Sequence, residues 1–138
     1  MRTLFIILVL ALASCSRPVT QEQITYLNGL WEIEQVTLVD GSTRDYKVSE
    51  IIDEFSISKN HGTRKKVRVS LVGNYPDAAA PDSVIVRIEK DRAVLAHKAE
   101  FIRWEEEIVE LDSTRLVLKN KQGITYQYKR HAPFELKP

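Results

Sequence analysis

The sequence predicts an all-β protein: an antiparallel up-and-down barrel of about eight strands, preceded by a signal segment and one helical turn. Three observations predict it. Apolar and polar residues alternate with a period of two through most of the chain, as in Val67, Val69 and Leu71 against Lys66, Arg68 and Ser70, which marks sheets with one wet face. Turn signals such as Asp40-Gly41 separate these runs at hairpin spacing. Hairpins laid side by side leave two exposed edges, and closing the sheet removes both.

The chain opens differently. Met1, Arg2 and Thr3 give a short basic start, and Leu4 to Ala13 is an unbroken apolar run. Ten residues are too few to cross a bilayer, which takes about 20 as a helix, but they suit the hydrophobic region of a secretory signal. Leu12, Ala13, Ser14 and Cys15 follow. They resemble the bacterial lipobox, and the resemblance implies cleavage between Ser14 and Cys15, a diacylglycerol thioether on Cys15 and acylation of the new amine. More than one acyl chain makes a stable tether. Cys15 is the single cysteine of the 138 residues, so no disulfide within the chain is possible. Ser16 replaces the Asp that would retain an enterobacterial lipoprotein in the inner membrane. The expectation is therefore an outer-membrane anchor facing the periplasm.

Residues 1–14 are thus read as a cleaved signal peptide, 15–26 as lipidated cysteine, tether and helical turn, 27–131 as the barrel and 132–138 as a tail. Loss of Arg2 leaves 19 basic against 19 acidic residues, and a neutral chain lacks the basic face that nucleic acid requires. Thr20 with Gln23 fits a capping box, and Ile24 and Leu27 continue a helical turn up to Asn28-Gly29. Leu30 to Val39 is the first strand. Ile51 to Ser58 reads as a strand, although Val48, Ile51, Ile52 and Phe55 also fit a short helix. A strand through Val67 to Leu71 comes next. Val84, Val86 and Ile88 turn at Lys90, Asp91 and Arg92 into Ala93 to His97. Glu100 to Leu111 changes phase, which a bulge within Glu105, Glu106 and Glu107 would explain. Leu116 and Leu118, then Ile124, Tyr126 and Tyr128, bracket Lys121, Gln122 and Gly123 as a final hairpin.

Asn28-Gly29-Leu30-Trp31, opening the first strand after a helical turn, resembles the Gly-x-Trp of lipocalins. More closely, the chain is similar to the small lipocalin-like lipoproteins of Bacteroidetes-type bacteria: Leu27 to Trp31, Phe55 to Ile57 leading to His61, Gly62 and Thr63, and Ile108 to Leu111 with Leu116 to Leu118. The resemblance implies that Trp31 plugs the closed end, with Arg130 as the cation over it.

Chemistry is sparse. His61, His97 and His131 have no neighbours at metal-ligand spacing, and they read as exposed or turn residues; no metal and no cofactor is expected. No nucleophile elbow appears, so no catalytic residue and no enzyme is expected. The glutamates at 105–107 read as a solvated strand end, and Arg64, Lys65, Lys66 and Arg68 as the wet face of a strand. Phe55, Trp104, Tyr75 and Tyr126 are candidates to line a cavity, with Phe55, Trp104 and Tyr126 as the ligand-binding candidates. Two functions follow. One is a membrane-anchored protein that binds an apolar or amphipathic small molecule; the other is a protein-interaction module, an inhibitor, immunity-type or envelope-assembly lipoprotein, with a filled barrel.

Overall fold

A computed structural model describes residues 17–133. The signal segment, Ser14, Cys15 and most of the tail lie outside the described residues. Nine strands follow a 3₁₀ helix (Gln21–Leu27): β1 (Gly29–Thr37), β2 (Thr43–Asp45), β3 (Ile51–Ser58), β4 (His61–Arg68), β5 (Asp82–Ile88), β6 (Ala93–Lys98), β7 (Arg103–Leu111), β8 (Arg115–Asn120) and β9 (Thr125–Arg130). Every pairing is antiparallel, and β1 pairs with β9, so β1 and β3–β9 close an eight-stranded barrel. The short, wholly exposed β2 pairs only with Gln35, Val36 and Thr37 of β1. β3 meets β1 only through Gly29, Leu30 and Trp31, leaving the other half of β1 free to take β2.

Strand alternation decides what faces inward. Trp31, Ile33, Phe55, Val84, Val86, Ala93, Leu95, Ile108, Leu111, Leu116, Leu118 and Tyr128 fill the interior, together with Val19, Ile24 and Leu27 from the N-terminal segment. Eight strands enclose a space that side chains alone can fill, and most of this one is filled.

The 3₁₀ helix closes one end. Gln23 Oε1 accepts the backbone N–H of Thr20 at 2.8 Å, one half of the expected capping box, while its Nε2–H donates to the carbonyl of Leu111 on β7 at 3.0 Å. Trp31 is fully buried against this helix, and its Nε1–H donates to the Leu27 carbonyl at 2.8 Å.

Several elements differ from the sequence expectation. Residues 51–58 are strand, paired along their full length with β4; the spacing that suggested a helix arises because Phe55 points into the barrel while Ile52 is buried on its outside. Ile52 and Val67 are cross-strand partners, both buried, yet outside the central core cluster. The segment after Arg68 runs back beside β4, where Asp77 bridges Val67. It does not continue the strand through Val69 and Leu71 but leaves the sheet and folds back, with Arg68 N–H donating to the Pro76 carbonyl (2.9 Å) and Ala78 N–H to the Lys66 carbonyl (2.8 Å). In β7 no bulge falls within the glutamates. The irregularity lies between Ile108 and Glu110, so Trp104, Glu106 and Ile108 all keep the inward register.

Candidate functional site

The two ends of the barrel are built differently. At the closed end the guanidinium of Arg130 lies 3.8 Å from the centroid of the Trp31 ring. It donates to the carbonyls of Asn28 (2.6 Å), Ser113 (3.0 Å) and Tyr26, joining the 3₁₀ helix, the start of β1 and the β7–β8 turn. Gly29 makes this possible: its φ is +112°, and a Cβ there would sit 2.7 Å from Arg130 Nη1. The Gly-x-Trp spacing therefore has a physical reason. Glycine vacates the space that the cation above the indole occupies.

The opposite end, where β4 and β6 finish and β3 and β7 begin, carries charge inside the barrel. Arg64, Asp53, Lys66 and Glu106 all take inward register. Arg64 donates to Glu106 Oε1 (3.1 Å), to Asp53 Oδ2 (3.3 Å) and to the Tyr128 hydroxyl (2.9 Å). Its guanidinium also lies 5.1 Å from the Phe55 ring centroid and 5.8 Å from that of Tyr128. Lys66 Nζ donates to Asp53 Oδ1 at 2.6 Å. Burial pushes both carboxyls up, but their polar neighbours outweigh it: Arg64 and Lys66 hold Asp53, and the His97 ring with the Arg64 guanidinium holds Glu106, below the usual carboxylate range. Burial drives the Tyr128 hydroxyl upward, so it stays protonated. Two cations and two carboxylates thus cancel across the barrel.

His97 is buried and stacks on Trp104, with ring centroids 4.8 Å apart and planes within 5°. Its Nε2 lies 2.8 Å from Glu106 Oε1, but the N–H does not point along that line, and Nδ1 has no partner among the described residues. The expectation of an exposed His97 is corrected here. So are those of a solvated Glu106 and an outward Arg64: each sits on the inward parity of its strand, and each finds an opposite charge there.

A hollow of about 960 Å³ opens at this end. Its lining draws on both faces of the sheet, and the hydrogen-bonded strands divide it. Arg64, Lys66, His97, Trp104, Glu106 and Tyr126 belong to the inner cup, whereas Ile85, Arg87, Lys98, Arg103 and Glu105 face outward beside it. The cup itself is therefore only part of that volume. Of the three aromatic candidates, Trp104 and Tyr126 line the cup. Phe55 does not; it is buried beneath Arg64. Tyr75 belongs elsewhere. Its hydroxyl lies 3.1 Å from His131 Nε2, and His131 Nδ1 lies 2.9 Å from Glu32, a chain that pins the outer excursion to β1. His61 stays exposed at the β3–β4 turn. Among the described residues no group of three or more His, Cys, Asp or Glu could hold a metal ion, and no helix is long and apolar enough to cross a membrane.

A closed antiparallel eight-stranded barrel, plugged at one end by a Gly-x-Trp tryptophan under an arginine and cupped at the other, defines a lipocalin-like fold. No protein-family model matches the chain, and no curated protein matches it. Among solved structures, a lipocalin-like protein from Bacteroides uniformis is similar at 12% identity, covering 77% of this chain and 99% of its own, with a TM-score of 0.49. Apocrustacyanin C1 is similar at 12% identity, covering 84% of this chain and 67% of its own, with a TM-score of 0.48.

Proposed function

We propose that the protein is a lipid-anchored lipoprotein of a bacterial outer membrane, facing the periplasm, whose barrel takes a small amphipathic molecule at its open end. The observation that carries this reading is the contrast along the barrel axis: a closed end filled by side chains, and an open end where Trp104 and Tyr126 stand beside a hollow. Aromatic walls with a few placed polar groups are the usual make-up of a small-molecule site. The anchor fits this polarity. Val19 is buried with Ile24 and Leu27 at the closed end, four residues after Cys15, and four residues span at most about 14 Å. Acyl chains on Cys15 would hold the closed end to the membrane and leave the mouth accessible.

Native mass spectrometry tests the binding. Residues 16–138 keep the whole barrel and its core; after incubation with an envelope lipid extract they are expected to carry a bound species that Trp104→Ala loses. A bare protein in both cases overturns the reading. Labelling cells with radioactive palmitate tests the anchor: incorporation is expected in the full chain and should vanish in Cys15→Ala.

The protein-partner alternative keeps one observation of its own. Phe101 is 90% and Ile102 63% exposed at the tip of the β6–β7 hairpin, two adjacent apolar side chains that a partner surface would cover. Co-purification that depends on Phe101 but not on Trp104 would favour it.

A further inference from the structure

Resting on the reading of the open end as a small-molecule cup, we infer that its ligand is an anionic amphiphile that enters head first, with its acidic group at Lys66 and its apolar body against Trp104 and Tyr126. A simple apolar pocket would place the greasiest surface deepest. This barrel inverts that order. Below the cup the interior is occupied by Phe55, Leu95 and Tyr128, and the floor consists of charged groups. Apolar side chains stand instead at the mouth, where Phe101 and Ile102 are exposed. A molecule matching this gradient puts its polar end inward.

The sign of the head follows from which charges the floor presents. The side chains of Asp53 and Glu106 are only 6% and 8% exposed, and both are bonded to Arg64, itself 11% exposed. The Lys66 side chain is 54% exposed. An ammonium has three donors, and Asp53 takes one of them. The carboxylates are sunk and engaged; the cation is presented. A floor whose formal charges cancel therefore shows an incoming ligand its positive member.

The outer face of the neighbouring hairpin adds to this. Lys98 and Arg103 are direct cross-strand partners and make no ion pair among the described residues. Like charges directly opposite one another weaken a strand pair, so this pair costs stability that a nearby anion would restore. Both lie beside the cup, on the hairpin that carries Phe101 and Ile102. The chain as a whole is close to neutral, so it is the burial of Asp53 and Glu106, not composition, that leaves a cation presented in the cup.

Two fluorescent probes with one aromatic body separate the claims. Anilinonaphthalene sulfonate carries an anion, and phenylnaphthylamine does not. Titrated into residues 16–138 at low salt, the sulfonate is expected to bind about tenfold or more tightly than the neutral probe, the range of one charge-assisted contact. Raising salt should weaken the sulfonate alone. Lys66→Gln should remove most of the difference, Lys66→Arg should keep it, and Trp104→Ala should weaken both probes. Circular dichroism of each variant checks that the barrel is intact. Equal affinity for the two probes, or a preference that survives Lys66→Gln in a folded protein, overturns the head-first anion. Binding of neither probe in a Trp104-dependent manner would instead overturn the small-molecule reading on which it rests.

Discussion

Each end of the barrel holds an arginine over aromatic rings, and the two are neutralised in different ways. Arg130 sits on Trp31 and is answered by backbone carbonyls; Arg64 lies over Phe55 and Tyr128 and is answered by two carboxylates. Carbonyl dipoles do not titrate, so the closed end is a fixed plug. Carboxylates do, and they leave the open end polar and sensitive to acid. One fold thus holds its two ring-stacked arginines with different kinds of partner.

The comparison can be broken most severely at the plug. Trp31→Ala removes a fully buried indole, and a loss of about 3–5 kcal/mol is expected, enough to unfold a marginal domain; denaturant unfolding checks it. At the other end, Arg64→Leu should cost a similar ~3–5 kcal/mol at neutral pH, because two buried carboxylates lose their shared cation. Adding Asp53→Asn and Glu106→Gln to Arg64→Leu should recover a large part of that loss, which no second change would do for Trp31.

Acid sharpens the contrast. The folded protein holds Asp53 and Glu106 below their ordinary values of 3.8 and 4.5. Their contribution is therefore complete above those values and is lost as pH falls through the lower folded ones. Thermal midpoints are expected to drop as pH falls below about 4.5, and to drop less in a protein carrying Asp53→Asn and Glu106→Gln. An equal slope in both proteins would place the acid sensitivity elsewhere.

Smaller effects follow from the entry to β1 and from the mouth. Gly29→Ala meets both a positive φ and the Arg130 guanidinium, and about 1–3 kcal/mol is expected, partly relieved if Arg130 is shortened in the same protein. Phe101→Ser should change stability by no more than ~0.5 kcal/mol, since the ring is 90% exposed. A large loss there would mean that the hairpin tip is packed rather than presented.

Much of the barrel was legible in the sequence because its hairpins announce themselves. Asp40-Gly41, Lys90 to Arg92 and Lys121 to Gly123 all lie in turns, and Gly29, Trp31 and Arg130 take the places that their resemblance implies. β2 was not legible: Thr43, Arg44 and Asp45 are all exposed and carry no alternation. The excursion after Arg68 hid for the opposite reason, since Val69 and Leu71 prolong the alternation of β4 although the strand has ended. The candidate site was half legible. Trp104 and Tyr126 were found as aromatics, but the charged floor was missed because polar residues in a strand are read as facing water. Parity held the missing signal: Glu106 lies two residues from both Trp104 and Ile108, and Arg64 two from Lys66. Without a bulge, inward neighbours force Glu106 inward as well.

The two tryptophans report on the two ends directly. In the amide and indole nitrogen–proton spectrum of labelled residues 16–138, the Trp31 Nε1–H, bonded to the Leu27 carbonyl, is expected to exchange slowly with solvent and to stay in place when anilinonaphthalene sulfonate is added. The Trp104 signal is expected to shift progressively over the same titration. A Trp31 signal that moves while that of Trp104 stays still, or two signals that never move at saturating probe, would contradict a closed structural plug set against an open binding cup.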